Sequence, residues 1–360
     1  MKGLVIREAG SFLKTMKSKL LLLAGLSLVS IIMVLVLYGV SRSKQSIKNG
    51  FSRSEGVTLT LLKQIKLDRE VLYFSGWVDE VCYLSNPDRP YELLAVDGNR
   101  QSIVSIEDSL EAQVRVGKVV VSPPYFFVSD LNQYFIYRGE IARWNLNKVI
   151  HPQQFFSESV PIGSASTILR SFNENKTEYV LKKEDPESDE AFGASKLLQK
   201  QVDGLFCVDG VLSFDEVENK IFYTYFYRNQ FICADTSLQL LYRANTIDTT
   251  RVAKIKVAKS ATASMLSSPP HIVNRYSFAA AGGLFINSNL QADNERAGHF
   301  RTHDVIDVYR TVDGQYVESL YIKKIAGQRI QGFAIHSDCL FALRGEYLEV
   351  YGISKVVSLL

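Results

Sequence analysis

Residues 205–244, LFCVDGVLSFDEVENKIFYTYFYRNQFICADTSLQLLYRA, constrain the chain more than any other stretch. Within 221–227 Tyr223, Tyr225 and Tyr227 fall on one face, and Phe222, Thr224 and Phe226 on the other. Strict alternation of large residues suits a pleated strand and cannot hold one side of a helix. Arg228-Asn229-Gln230 is a short polar break, after which 231–235 returns as the partner of a hairpin and 238–244 adds a further strand. About four strands in roughly forty residues is the size of one β-propeller blade. The tyrosine stripe offers a ligand platform on paper, but packing between blades buries large aromatics on both faces of each sheet. It is therefore read as core, and the Arg-Asn-Gln break as a hairpin end.

Looser versions of this unit run through the rest of the chain. The first covers 71–106, with turn clusters Asn86-Pro87-Asp88-Arg89-Pro90 and Asp97-Gly98-Asn99; the second covers 119–146, with Pro123-Pro124 as a turn. The third, 155–202, is the least regular; its acidic run 184–190 reads as a solvated loop and 191–201 as a short surface helix. The fifth spans 255–322 and ends in a hairpin at Asp313-Gly314, a strong turn signal between alternating apolar runs. The sixth, 330–353, has three clear strands, which leaves 57–67 (VTLTLLKQIKL) to close the ring as the missing fourth; 356–360 is the other source of that strand. The fold class expected is all-β, a six-bladed β-propeller. Tyr and Phe, 18 and 20 against two Trp, favour sheets in the same way.

Residues 20–40, LLLLAGLSLVSIIMVLVLYGV, carry no charge and number 21. At about 1.5 Å per residue such a helix crosses a hydrocarbon core of about 30 Å, whereas a cleavable signal has an apolar run of only about 7–15 residues. The expectation is a single uncleaved transmembrane helix, preceded by a basic arm (1–19), followed by a juxtamembrane linker (41–56), and carrying the propeller at 57–360. Basic residues flank it on both sides, Lys14, Lys17 and Lys19 before and Arg42, Lys44 and Lys48 after, so charge bias decides little. The short arm and large domain favour a cytoplasmic N-terminus with the propeller on the outer side of the membrane, which in the bacterial envelope that the resemblance below implies is the periplasm.

The net charge of +3 conceals an asymmetry: residues 1–53 carry nine basic residues and one acidic, and the remainder is net −5. A mildly acidic domain argues against nucleic acid as a partner. Cys82, Cys207, Cys233 and Cys339 form no CxxC pair and sit in apolar segments, so they read as core residues.

The segments YFYRNQFICADTSLQLLYRANTID, YFSGWVDEVCYLSNPDRPYELLAVD, PPYFFVSD and VIDVYRTVDGQYVESLYI together resemble a group of Bacteroidetes membrane-associated proteins, themselves similar to six-bladed propellers of the TolB-like or NHL-like kind. The resemblance covers most of 57–353. It implies a fold and a cell-envelope location and names no catalytic residue.

Candidate chemistry is sparse. In AGHFRTHDVID, His299 and His303 with Asp304 are the one set of metal-type donors in close sequence, though on an inter-strand loop this spacing carries little. Asn287, Asn289, Asp293, Asn294 and Glu295 just before it offer oxygens to calcium. No GxSxG elbow, GxGxxG run or P-loop is present. His151, His271 and His336 stand isolated.

The expected function is a non-catalytic binding or scaffolding module tethered in the bacterial cell envelope, presenting a protein, peptide or glycan partner with the propeller face. The alternative is a calcium-dependent hydrolase or lactonase using the central channel, and a third reading is a purely structural envelope component. Deleting residues 54–67 should abolish a cooperative fold; a truncated chain melting at the unchanged temperature would overturn ring closure by that segment.

Overall fold

In a computed structural model the described residues are 19–39, 48–54, 56–151, 155–185, 192–194, 196–259, 264–358 and 360. The chain divides into two units, residues 1–48 and 49–360. In the first, helix α1 (Lys19–Gly39) is long and apolar enough to cross a membrane, and all of it is exposed; a signal sequence meets the same description. Residues 1–18 of the basic arm, residue 40 of the expected span, and residues 41–47 and 55 of the linker lie outside the described residues.

The second unit is almost entirely β, in a propeller-like arrangement of antiparallel meanders. Two strands come first, β1 (Val57–Thr58) and β2 (Leu61–Lys66). The first meander is β3 (Tyr73–Val78), β4 (Val81–Ser85), β5 (Glu92–Asp97) and β6 (Arg100–Ser105), followed by the short β7 (Glu107–Asp108). The second is β8 (Gly117–Ser122), β9 (Tyr125–Asp130), β10 (Ile136–Glu140) and β11 (Asn145–His151). The third is β12 (Phe156–Ile162), β13 (Ser166–Phe172), β14 (Tyr179–Glu184) and β15 (Phe192–Ala194). The fourth is β16 (Gly210–Asp215), β17 (Lys220–Tyr225), β18 (Phe231–Asp235) and β19 (Leu240–Ala244). A small hairpin, β20 (Val257–Lys259) and β21 (Ser264–Leu266), precedes the fifth: β22 (Asn274–Ala280), β23 (Gly283–Ser288), β24 (His303–Arg310) and β25 (Tyr316–Lys323). Helix α2 (Ala297–Thr302) lies between β23 and β24. The last meander, β26 (Gly332–His336), β27 (Cys339–Arg344) and β28 (Tyr347–Gly352), is followed by α3 (Ser354–Val357).

The hydrogen-bonded sheets are not six equal blades. The first two meanders and β7 merge into one nine-stranded sheet, the fifth gains β1, and three sheets have four strands. The merger runs through a single parallel bridge between Gly76 and Val121. A Cβ on Gly76 would stand 2.3 Å from the Val121 carbonyl oxygen, so this approach requires glycine. Asp313-Gly314 makes the expected hairpin, with Gly314 at φ 72°.

The core consists of interfaces between neighbouring sheets. Alternation sends Tyr223, Tyr225 and Tyr227 toward Ile168 and Leu181 of the third meander, and Phe222, Phe231 and Cys233 toward Leu284, Ile286 and Tyr309 of the fifth. Leu343 and Leu348 of the last meander pack with Cys82, Leu84 and Leu94 of the first. The first strands also touch in succession, β3 to β8, β12, β16, β22 and β26, and β26 returns to β3. Each fully buried apolar side chain contributes about 1.5–3 kcal/mol. An exposed pair such as Lys66–Glu346 (3.5 Å) contributes about 0–1, so apolar contact between sheets dominates. Cys82, Cys207, Cys233 and Cys339 are all free thiols; the first three are buried, and burial pushes Cys233 up to about 11.

Closure uses the N-terminal segment. β2 pairs antiparallel with β28, supplying the last meander's fourth strand, and β1 pairs parallel with β25. The alternative source, 356–360, begins instead inside helix α3. The docked chain also starts earlier than Val57. Asn49 and Gly50 donate backbone N–H groups to Asp293 at 2.7 and 3.1 Å, and Phe51 is buried against Val273 and Leu290. Arg53, 3% exposed, gives its guanidinium to both oxygens of Asp307 (2.8 and 3.0 Å), to Glu295 (2.8 Å), to Ser288 (2.8 Å) and to the Leu290 carbonyl (3.1 Å). Every N–H of the fork is used.

The expected surface helix at 191–201 is not formed. Phe192–Ala194 pairs with β14 as β15, and residues 196–198 form turns; residues 191 and 195 lie outside the described set, as do 186–190 of the acidic run. Three residues added to an existing edge satisfy their backbone by pairing, which outweighs local helix propensity.

Arg53→Met strands the Asp307 and Glu295 carboxylates without their cation. It should lower stability by about 3–5 kcal/mol in chemical denaturation, with partial recovery in the R53M/D307N double variant.

Candidate functional site

A cavity of about 900 Å³ opens at one end of the fourth meander. Three short segments wall it: residues 196–201 leaving the third meander, 228–230 between β17 and β18, and the chain just past β19, with Asn245 and Arg251. The Arg-Asn-Gln break is thus a hairpin end and also a wall of this cavity.

The turn is held from all sides. Asn229 donates its N–H to the Thr250 carbonyl (2.8 Å) and accepts from the Thr246 N–H at its own carbonyl (3.2 Å). The buried Asn274 amide donates to the carbonyls of Tyr225 (2.9 Å) and Arg228 (3.2 Å). Phe226 gives its N–H to the Asp209 carbonyl and accepts from Val273 N–H, which ends β17 at Tyr225, short of Tyr227. Gln201 ties two walls together, donating to the Arg251 carbonyl (2.8 Å) and accepting from Ala253 N–H (2.9 Å). Bonds across all three walls pre-form the cavity and reduce the ordering cost of a ligand.

Arg228 sits at the base of this frame and is 1% exposed. Its guanidinium lies 3.6 Å from the centre of the Tyr225 ring and donates through Nη2 to the Gln199 carbonyl (2.8 Å). Tyr225 is held in turn by an edge contact with Tyr223 and accepts from the Gln199 N–H at 3.2 Å. Nε and Nη1 of Arg228 have no hydrogen-bond partner among the described residues. Two further cations, Lys196 and Arg251, stand exposed on the wall, while Lys200 is paired with Glu178. Among the described residues no carboxylate lines the cavity.

The residues singled out from sequence go elsewhere. His299 and His303 do meet, because α2 forms where a loop was expected: their rings stack with centroids 4.1 Å apart. Burial and the neighbouring His303 hold His299 below the usual imidazole range, against the opposing pull of Glu295. Asp304 follows His303 on β24, so its side chain leaves the opposite face. It accepts from the Ile330 N–H (3.1 Å) and faces Arg344 at 3.6 Å. Among the described residues no three His, Cys, Asp or Glu groups converge as metal ligands.

The run considered for calcium holds the N-terminal segment instead. Asp293 binds Asn49 and Gly50, Asn294 pairs both ways with the Arg53 backbone, and Glu295 binds the Arg53 guanidinium. Asn287 donates to the Val305 carbonyl, and Asn289 accepts from Arg329. Of these residues Glu295 takes the Arg53 guanidinium, while Asp293 and Asn294 hold the backbone at 49, 50 and 53.

No family model matches the chain, and no curated protein matches it. Among solved structures it is similar to a DUF4221 family member from Bacteroides vulgatus, with a TM-score of 0.50 and 11% identity, covering 82% of this chain and 98% of that one. It also aligns with a nidogen/laminin complex (TM-score 0.44, 9% identity, 71% and 81% covered) and with the computationally designed protein Ika8 (TM-score 0.42, 8% identity, 80% and 99% covered). At such identities the first match bears on fold alone: a propeller-like arrangement shared with a Bacteroidetes protein.

Tyr225→Phe keeps the ring under Arg228 and loses only the oxygen facing Gln199, so it should cost about 1 kcal/mol. Tyr225→Leu also removes the ring face and should cost about 2 kcal/mol more. Equal losses for the two in denaturant titration would show that the stacked guanidinium contributes nothing.

Proposed function

We propose that the protein is a non-catalytic binding module built on a six-bladed propeller of the TolB-like or NHL-like kind, held at the cytoplasmic membrane by residues 20–40 with the propeller in the periplasm. A protein, peptide or glycan partner would dock on the propeller face that carries the cavity. The observation that carries the binding role is the pre-formed cavity at 196–201, 228–230 and 245–251, braced by backbone hydrogen bonds across its walls. Its volume falls within the range of about 300–1,000 Å³ usual for small-molecule sites.

Support for six blades comes from the core. Apolar clusters join each meander to the next and the last to the first, and the first strands touch in the same cyclic order. On that reading the nine-stranded sheet is two blades bridged at Gly76, and β2 completes the blade begun by β26. A membrane tether is supported by the length and composition of α1.

The test uses the full chain in a neutral detergent as bait for cell-envelope extracts, alongside Asn245→Trp, which places a large ring at an exposed position of the cavity wall. Wild type should retain a component that the variant loses while both melt alike. Identical captures would overturn the assignment of this face as the binding surface.

A further inference from the structure

We infer that the cavity is an anion site, taking a small soluble ligand with phosphate-type oxyanions on a hydroxylated body, with Arg228 as its charge anchor. The inference rests on the reading above that this face binds a ligand.

The four buried arginines carry the argument. Arg53 has Asp307 and Glu295, Arg170 has Asp209, and Arg344 has Glu349 with Asp304 close by. Arg228 is the most deeply buried of them and has no carboxylate partner among the described residues. A buried charge is tolerated when it is paired and fully hydrogen-bonded. Arg228 has a single carbonyl and one aromatic face, and two of its nitrogens are unpartnered. It is also the one among the four that lines the cavity. The missing negative charge is therefore the ligand's to supply, and guanidinium suits phosphate by geometry and by its weaker hydration.

The rest of the wall agrees in sign. Lys196 and Arg251 are exposed, and like Arg228 they have no carboxylate partner among the described residues, so three cations of the cavity are uncompensated within that set. A multiply charged oxyanion matches that excess better than a single carboxylate. Gln199, Gln230 and Asn245 line the same space, and their side-chain amides have no partner among the described residues. Amides that donate and accept suit hydroxyl groups. The volume accommodates a body larger than a bare phosphate ion. Nucleic acid is disfavoured because the domain from residue 54 on is net acidic.

The experiment is calorimetric titration of the full chain, in a neutral detergent at low ionic strength, with fructose bisphosphate, fructose and short-chain phosphatidic acid. Fructose bisphosphate should bind saturably and weaken with added salt, and fructose should bind at least about tenfold more weakly. The exposed pair Lys196→Gln/Arg251→Gln should weaken the bisphosphate by about tenfold or more with the melting temperature unchanged, and Arg228→Met should abolish saturation. Equal binding of fructose and its bisphosphate, or unchanged affinity in the double glutamine variant, would overturn the anion assignment. Tighter binding of phosphatidic acid would overturn the hydroxylated body in favour of a lipid headgroup. Should no anion bind while Asn245→Trp still loses its envelope ligand, the anion inference fails and the binding surface stands; should that variant lose nothing, both fail.

Discussion

A β-sheet that buries large residues on both faces needs a neighbour on each side, and a row of such sheets can satisfy its end members only by returning on itself. That constraint governs the second unit. Phe222 and Tyr223, adjacent in sequence, are each fully buried in different inter-sheet clusters. The last three strands would leave an unpaired edge, and β2 covers it from the other end of the chain. Arg53 then fixes the entry of that strand by drawing Asp307 and Glu295, remote in sequence, around one guanidinium. The segment that looks like a flexible linker is, from Asn49 onward, part of the packed unit.

Buried charge is distributed unevenly over this frame. Three buried arginines close contacts between elements and are each matched by carboxylates, so their role is complete within the chain. Arg228 is held as firmly, by Tyr225 and by the carbonyl of Gln199, yet has no counter-ion among the described residues. The same kind of side chain thus serves as a clasp at one place and as an open half of an interaction at another. The difference lies in whether an acidic residue reaches it.

Much of the meander order was legible in the chain because alternation is a local property: Tyr223 and its neighbours, the Asp313-Gly314 turn and the strand at 61–66 all announce themselves. Other features depend on segments distant in sequence. The Arg-Asn-Gln break is the hairpin end expected, but the burial of Arg228 under the carbonyl of Gln199 depends on a segment that local pattern does not place there. The oxygen-rich run at 287–295 suggested calcium, and its Asp293, Asn294 and Glu295 bind residues 49–53, too distant in sequence to be paired with it by inspection. His303 and Asp304 were grouped by adjacency, which on a strand sends their side chains apart.

From the sequence alone came the β class, the repeating unit, the apolar helix and the closing strand, all of which depend on the order of apolar and polar residues along a few turns or strands. The tertiary structure decided which sheets fuse, where the packed unit begins, and which polar residues are buried without a partner. Those outcomes depend on what distant segments bring to the same place. An uncompensated charge is a relation between residues, so it becomes visible only when the fold has assigned every other charge its neighbour.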